Sequence, residues 1–132
     1  MRVRIVKERS KFDNDPITFI KANQNKLNQL KIRIEEAQTL IKYNDVEIER
    51  DLSLKISKVC SLLNVDGLRG DIVTNRAAKA FAAYNGCMKV TIKDIKKMIV
   101  LCLRHRLRFD PLQPLSGKQI LAVFNRVFYE NF

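Results

Sequence analysis

The sequence predicts an all-α domain, and three observations predict it. Apolar residues recur at helical spacing in six segments, and strict apolar–polar alternation never extends over a useful length. Breaker residues fall between those segments: Asp15-Pro16, Asn44-Asp45, Asn64 to Gly67, Asn85-Gly86 and Asp110-Pro111. With 132 residues and 46% apolar content, the chain has material for one core, and no apolar run is long enough to span a bilayer.

Met1 to Phe12 forms a short basic helix carrying Val3, Ile5 and Val6. Asp15 then supplies an N-cap, with Pro16 at the first helical position. The next helix runs to about Lys42. Its residues Ile20, Leu27, Leu30, Ile34, Ala37 and Ile41 follow at steps of seven, three, four, three and four, a coiled-coil-like seam. An intramolecular helix pair is the favoured use of that seam, with an intermolecular coiled coil as the alternative. A third helix covers about Glu49 to Leu63, with Leu52, Ile56, Val59, Cys60 and Leu63 on one face. The fourth, about Gly70 to Tyr84, is rich in alanine, which lets neighbouring helices approach closely. Thr91 and Asp94 make a capping box for a fifth helix to about Leu107, with Ile92, Ile95, Met98, Ile99 and Cys102 inward. Ser116 and Gln119 cap a last helix striped by Ile120, Val123, Phe124, Val127 and Phe128. The expected organisation is one domain over 1–132, with a long helical arm at 1–43 and a helical bundle at 44–132.

The formal charge of +11 favours anionic partners such as nucleotide phosphates, nucleic acid or an acidic protein surface. Two basic patches stand out: Arg2, Arg4, Lys7, Arg9 and Lys11; and Lys93, Lys96 and Lys97 with Arg104, Arg106 and Arg108. Aromatic interleaving for base stacking is poor, with Phe109 alone close by, so nucleic acid is disfavoured. Cys60, Cys87 and Cys102 contain no CxxC pair and read as free thiols in a reducing compartment. The N-terminus shows no secretory signal and leaves no room for a removable transit peptide.

Enzyme motifs are absent. Gly117-Lys118 is followed by Gln119, with Leu112 where a P-loop needs its first glycine. There is no GxSxG or HExxH, and one histidine excludes a multi-histidine metal site. His105, among Arg104, Arg106 and Arg108, reads as a surface histidine near a helix end. No catalytic residue and no metal site is expected. Arg69 is the strongest candidate, set between Gly67-Leu68 and Gly70 where a helix begins. A helix start exposes unpaired N–H groups and the positive end of the dipole, and a guanidinium there adds charge-assisted bonds to a phosphate. Spacing alone leaves a structural salt bridge to Asp66 or Asp71 equally open.

Asn64-Val65-Asp66-Gly67-Leu68-Arg69-Gly70-Asp71-Ile72-Val73-Thr74-Asn75-Arg76-Ala77-Ala78-Lys79-Ala80 resembles the C-terminal region of the ATPase subunit I of magnesium chelatase, an AAA+ family. Val90 to Ile95, Leu101 to Arg108 running into Asp110-Pro111-Leu112, and Arg2 to Arg9 with Phe12-Asp13 resemble the same subunit. The resemblance implies a C-terminal helical lid domain of a ring-forming motor. That family uses ATP with Mg2+ to drive magnesium into protoporphyrin IX at the entry to chlorophyll synthesis, together with subunits D and H. Arg69 falls on the position of the sensor 2 arginine, which contacts ATP phosphate. The family's Walker A and B motifs, sensor 1 and arginine finger have no counterpart here, so the chain alone is expected to lack ATPase activity. The resemblance implies as partners the core domain of subunit I, further copies in a ring, and subunits D and H, in a plastid stroma or the cytoplasm of a photosynthetic bacterium. The alternative class is a free-standing basic helical module that binds nucleic acid or an acidic protein.

Overall fold

The computed structural model describes residues 1–65, 67–106 and 117–130. Its six helices are α1 (Arg2–Asn14), α2 (Pro16–Lys42), α3 (Arg50–Leu62), α4 (Arg69–Tyr84), α5 (Ile92–Leu103) and α6 (Gly117–Tyr129). No strand is formed among the described residues, so the fold is all-α as the periodicity predicts. Two compact units result, Met1–Glu35 and Glu36–Phe132.

In the first unit α1 buries no residue. It is held by local contacts: Arg9 pairs with Asp13 at 2.9 Å and lies over the Phe12 ring, which meets Phe19 edge-on at 5.7 Å. Asp15 caps α2 as predicted. Its carboxylate accepts from the Thr18 amide at 3.2 Å and the Thr18 hydroxyl at 2.6 Å. The Thr18 hydroxyl, and then its amide, hold the Asp15 carboxyl below the usual aspartate value.

The α2 seam departs from expectation. Ile20, Leu27, Leu30, Ile34 and Ile41 are 42–53% exposed, and Ala37 alone is buried. Within the first unit no described helix covers this seam, so the favoured intramolecular helix pair is not seen there. The apolar stripe is a narrow two-per-heptad line, which suits one partner helix more than a globular core.

The second unit begins inside α2, because Ala37 and Leu40 join its core while the chain breaks only at Asn44. Helices α3, α4, α5 and α6 close a four-membered ring in which each packs on two neighbours. Helix α3 meets α4 and α6, and α5 meets α4 and α6. Ile56, Val59, Ile95, Ile99, Leu103, Ile120 and Phe124 are wholly inaccessible. Ala78 and Ala82 are equally buried, and these short side chains let α4 lie close against α5. Phe124 stacks on Phe128 with centroids 4.2 Å apart. Of the residues expected to face inward, Leu63, Ile92, Met98 and Val123 end up half-buried.

Three helix ends share one device. Asn44, Asn64 and Gly86 adopt left-handed φ of 55°, 51° and 72°. In each case the next amide reaches back five residues: Asp45 to Leu40, Val65 to Cys60 and Cys87 to Ala82. These are Schellman closures, which satisfy carbonyls the helix leaves open. The Thr91–Asp94 capping box forms in both directions at the start of α5. Helix α5 ends at Leu103, earlier than Leu107, because Arg106 N–H bonds the Leu103 carbonyl and tightens the chain into a turn. The expected Ser116 cap lies outside the described residues. A short parallel bridge the sequence did not reveal joins Glu47 to Lys89 and ties the α2–α3 connector to the α4–α5 connector.

Candidate functional site at the start of α4

Gly67, with φ of 67°, turns the chain into the left-handed region that glycine adopts without strain. Leu68 follows as N-cap with no side-chain cap bond, and Arg69 is the first residue of α4. Leu68 offers these first-turn amides no side-chain acceptor, and among the described residues the positive end of the dipole there favours an anion.

Gly70 explains why Arg69 stands where it does. It is buried, and a Cβ built there would lie 2.7 Å from Val65 Cγ1, 3.2 Å from Leu103 Cδ2 and 3.7 Å from Cys60 Sγ. Only a residue without a side chain lets the α4 start sit this close to α5 and the end of α3. The sequence shows this glycine as a punctuation mark beside the arginine. A glycine just inside a helical pattern was the available signal for close backbone approach.

A second tether was not legible in the spacing. Ser53 Oγ donates to Asn75 Oδ1 at 2.9 Å, and Asn75 Nδ2 donates to the Asp71 carbonyl at 2.9 Å. Helix α3 therefore grips the first turns of α4. Arg69 itself is exposed and makes no ion pair or hydrogen bond with any described residue. Asp71, one of its two candidate partners, faces the Cys60 thiol instead. Asp66, the other, lies outside the described residues.

Beneath this turn the chemistry is inert. Burial, reinforced by the Asp71 carboxylate, pushes the Cys60 thiol up to about 12. Burial also raises Cys102, against an opposing pull from Thr74 and Arg106. Cys87 is exposed, and all three cysteines are free. Native protein at pH about 8 should therefore take up one equivalent of a thiol reagent, at Cys87, and the other two only on unfolding. Mass spectrometry of the labelled chain checks this; rapid labelling of Cys60 in the folded state would contradict it.

Thr74 is fully buried, and among the described residues its hydroxyl finds no nitrogen or oxygen partner, only the weakly bonding Cys102 thiol. A buried hydroxyl without a good partner costs about 1–3 kcal/mol, so Thr74→Val should raise stability by about 1 kcal/mol. Chemical denaturation measures this directly. A fall in the midpoint would mean that the thiol contact outweighs desolvation.

Among the described residues no group of three or more His, Cys, Asp or Glu side chains gathers to hold a metal, and no helix is long and apolar enough to cross a membrane. His105 is exposed in the turn after α5, as expected. Lys93 and Lys97 form an exposed strip on α5 with Arg104 just beyond it, while Lys96 lies half-buried beside them. Arg108 lies outside the described residues.

The second unit is a bundle of short helices that presents Arg69, without a partner among the described residues, at the start of α4. The family model described as AAA lid domain matches residues 53–122, and the chain belongs to that family. It is also similar to the C-terminal part of magnesium-chelatase subunit ChlI from several organisms. Identity is 54% over 129 residues with the protein of Trieres chinensis, covering 97% of this chain and 36% of the relative. With that of Pyropia yezoensis it is 53% over 131 residues, covering 98% and 36%. With that of Anabaena variabilis it is 53% over 129 residues, covering 97% and 38%. The chain thus spans little more than a third of the length of the curated relatives it matches. These relatives come from plastid-bearing algae and cyanobacteria.

Proposed function

We propose that this chain is the nucleotide-sensing lid of a magnesium-chelatase motor subunit, and that Arg69 is its phosphate contact. The observation that carries the reading is the state of Arg69: exposed, without a partner among the described residues, and fixed on a helix start that Gly70 and the Ser53–Asn75 tether lock in place. A planar guanidinium suits a phosphate, which it holds through two parallel N–H bonds. The first-turn amides of α4, which receive no side-chain bond from the N-cap Leu68, add partial positive charge at the same helix start.

In this reading the chain supplies part of a shared site. The larger part of the nucleotide pocket, including the groups that hold ATP with Mg2+, belongs to the core domain that the family resemblance implies. Bound ATP supplies the free energy, and Arg69 reports to the bundle whether a terminal phosphate is present. The bundle can transmit that report as one unit, since α3 to α6 close on one another around side chains with no solvent access. The chelatase assembly would include further copies in a ring and subunits D and H, acting on protoporphyrin IX and magnesium as substrates. Its setting is the plastid stroma or the cytoplasm of a photosynthetic bacterium.

The alternative of a nucleic-acid module draws little support from the surface. On the basic α5 side Phe81 is half-buried, and Lys97 and Lys96 stand 5.4 and 5.7 Å from the centroids of Phe81 and Tyr129, which leaves Tyr129 as the one exposed ring among the described residues there. Mixing the chain with a nucleotide-binding core domain of a relative tests the proposal. The expected result is no ATP hydrolysis by the chain alone and restored hydrolysis by the mixture. A core whose turnover is indifferent to the chain would overturn it.

A further inference from the structure

We infer that the exposed seam of α2 is a docking surface for an acidic amphipathic helix of a partner protein. Ile20, Leu27, Leu30 and Ile34 lie on one side of α2 within the first unit, and all remain at least 42% exposed. They occupy a stretch of ~21 Å at 1.5 Å rise per residue. Their three-and-four spacing makes a strip one helix wide, and a long helix in water draws its stability from such a strip being covered.

Charge decides between occupants. With Ile20, Leu27 and Ile34 in the first core position of each heptad and Leu30 in the second, the flanking positions hold Lys26, Lys31 and Arg33 and no acid. Lys31 reaches Glu35 only at 3.9 Å across an exposed pair, which neutralises little. The first unit as a whole carries nine Lys or Arg against four Asp or Glu. A second copy in parallel would set Lys26 against Lys31, and an antiparallel copy would set like flanks together. Either arrangement puts cation on cation, whereas a helix with Glu or Asp beside its apolar strip would pair with Lys26 and Lys31. A membrane surface fits less well, because the apolar strip is narrow and α1 has no buried or sided apolar face. This inference does not rest on the role of Arg69.

The experiment uses the full chain and two labelled synthetic peptides of ~21 residues, both with Leu and Ile at the core positions. One carries Glu at the flanking positions and the other Lys. Fluorescence anisotropy should show the Glu peptide binding at least ~10-fold more tightly at low salt, with the gap closing as salt screens the flanks. Leu27→Gln with Leu30→Gln should weaken binding by ~10-fold or more. Lys26→Glu with Lys31→Glu leaves the apolar strip intact and should reverse the preference toward the Lys peptide, so loss of helix cannot mimic the result. Equal binding of both peptides, binding of neither, or a dimer of the chain that Leu30→Gln abolishes would overturn the inference.

Discussion

Replacing Gly70 with valine should lower the stability of the bundle by about 2–3 kcal/mol, the cost of overpacking a closed site. The first added carbon already meets Val65 at 2.7 Å and Leu103 at 3.2 Å. Val65 sits in the turn and can yield a little, but Leu103 is wholly buried on α5 and cannot move without opening the core. Gly70→Ala sets a finer test. Alanine gains about 1 kcal/mol of helix propensity over glycine. The steric cost should exceed that gain and leave a net loss. For a unit of 97 residues, Glu36–Phe132, a loss of 2 kcal/mol corresponds to a fall in Tm of about 8–16 °C. An alanine variant as stable as the parent would show that the close approach is not real.

The second large effect belongs to Arg69. Exposed and without a described partner, it contributes little to the fold, so Arg69→Ala should change stability by no more than about 0.5 kcal/mol. In a subunit that contains the nucleotide-binding core, the same substitution should cut ATP turnover by about 10- to 100-fold, the scale of a lost charge-assisted contact. Arg69→Lys keeps the charge but loses the planar fork, and should fall between the two. The contrast with Gly70 is diagnostic. Gly70 holds the helix start in place, and Arg69 is the proposed phosphate contact, so the two variants should separate stability from turnover.

The bundle was legible because its helices are amphipathic with well-marked ends. The stripes of α3, α5 and α6 name in advance every buried residue of those three helices but Leu103, and the Thr91–Asp94 box and Asp15-Pro16 fix two helix starts. The fate of the α2 seam was not legible. A three-and-four spacing states that a partner helix fits, but it does not say whether the chain itself supplies one. Thr74 was also hidden, since a hydroxyl on the inward side of an alanine-rich helix has no sequence mark. For the site, the arginine was evident from its neighbours and from family resemblance. The function of Gly70 was not, because close approach to Leu103 joins residues far apart in the chain. Nor could spacing say that Asp71 turns towards Cys60 and leaves Arg69 to solvent.

The central claim is that Arg69 reads a terminal phosphate, and the ratio of ATP to ADP affinity tests it most directly. That ratio should be measured by equilibrium binding for the chain combined with a nucleotide-binding core domain of a relative, with Arg69 intact and with Arg69→Ala. The account predicts that the substitution weakens ATP binding by about 10-fold or more while ADP binding stays nearly constant, so that the ratio collapses. An unchanged ratio in a folded variant would contradict it and return Arg69 to a structural role.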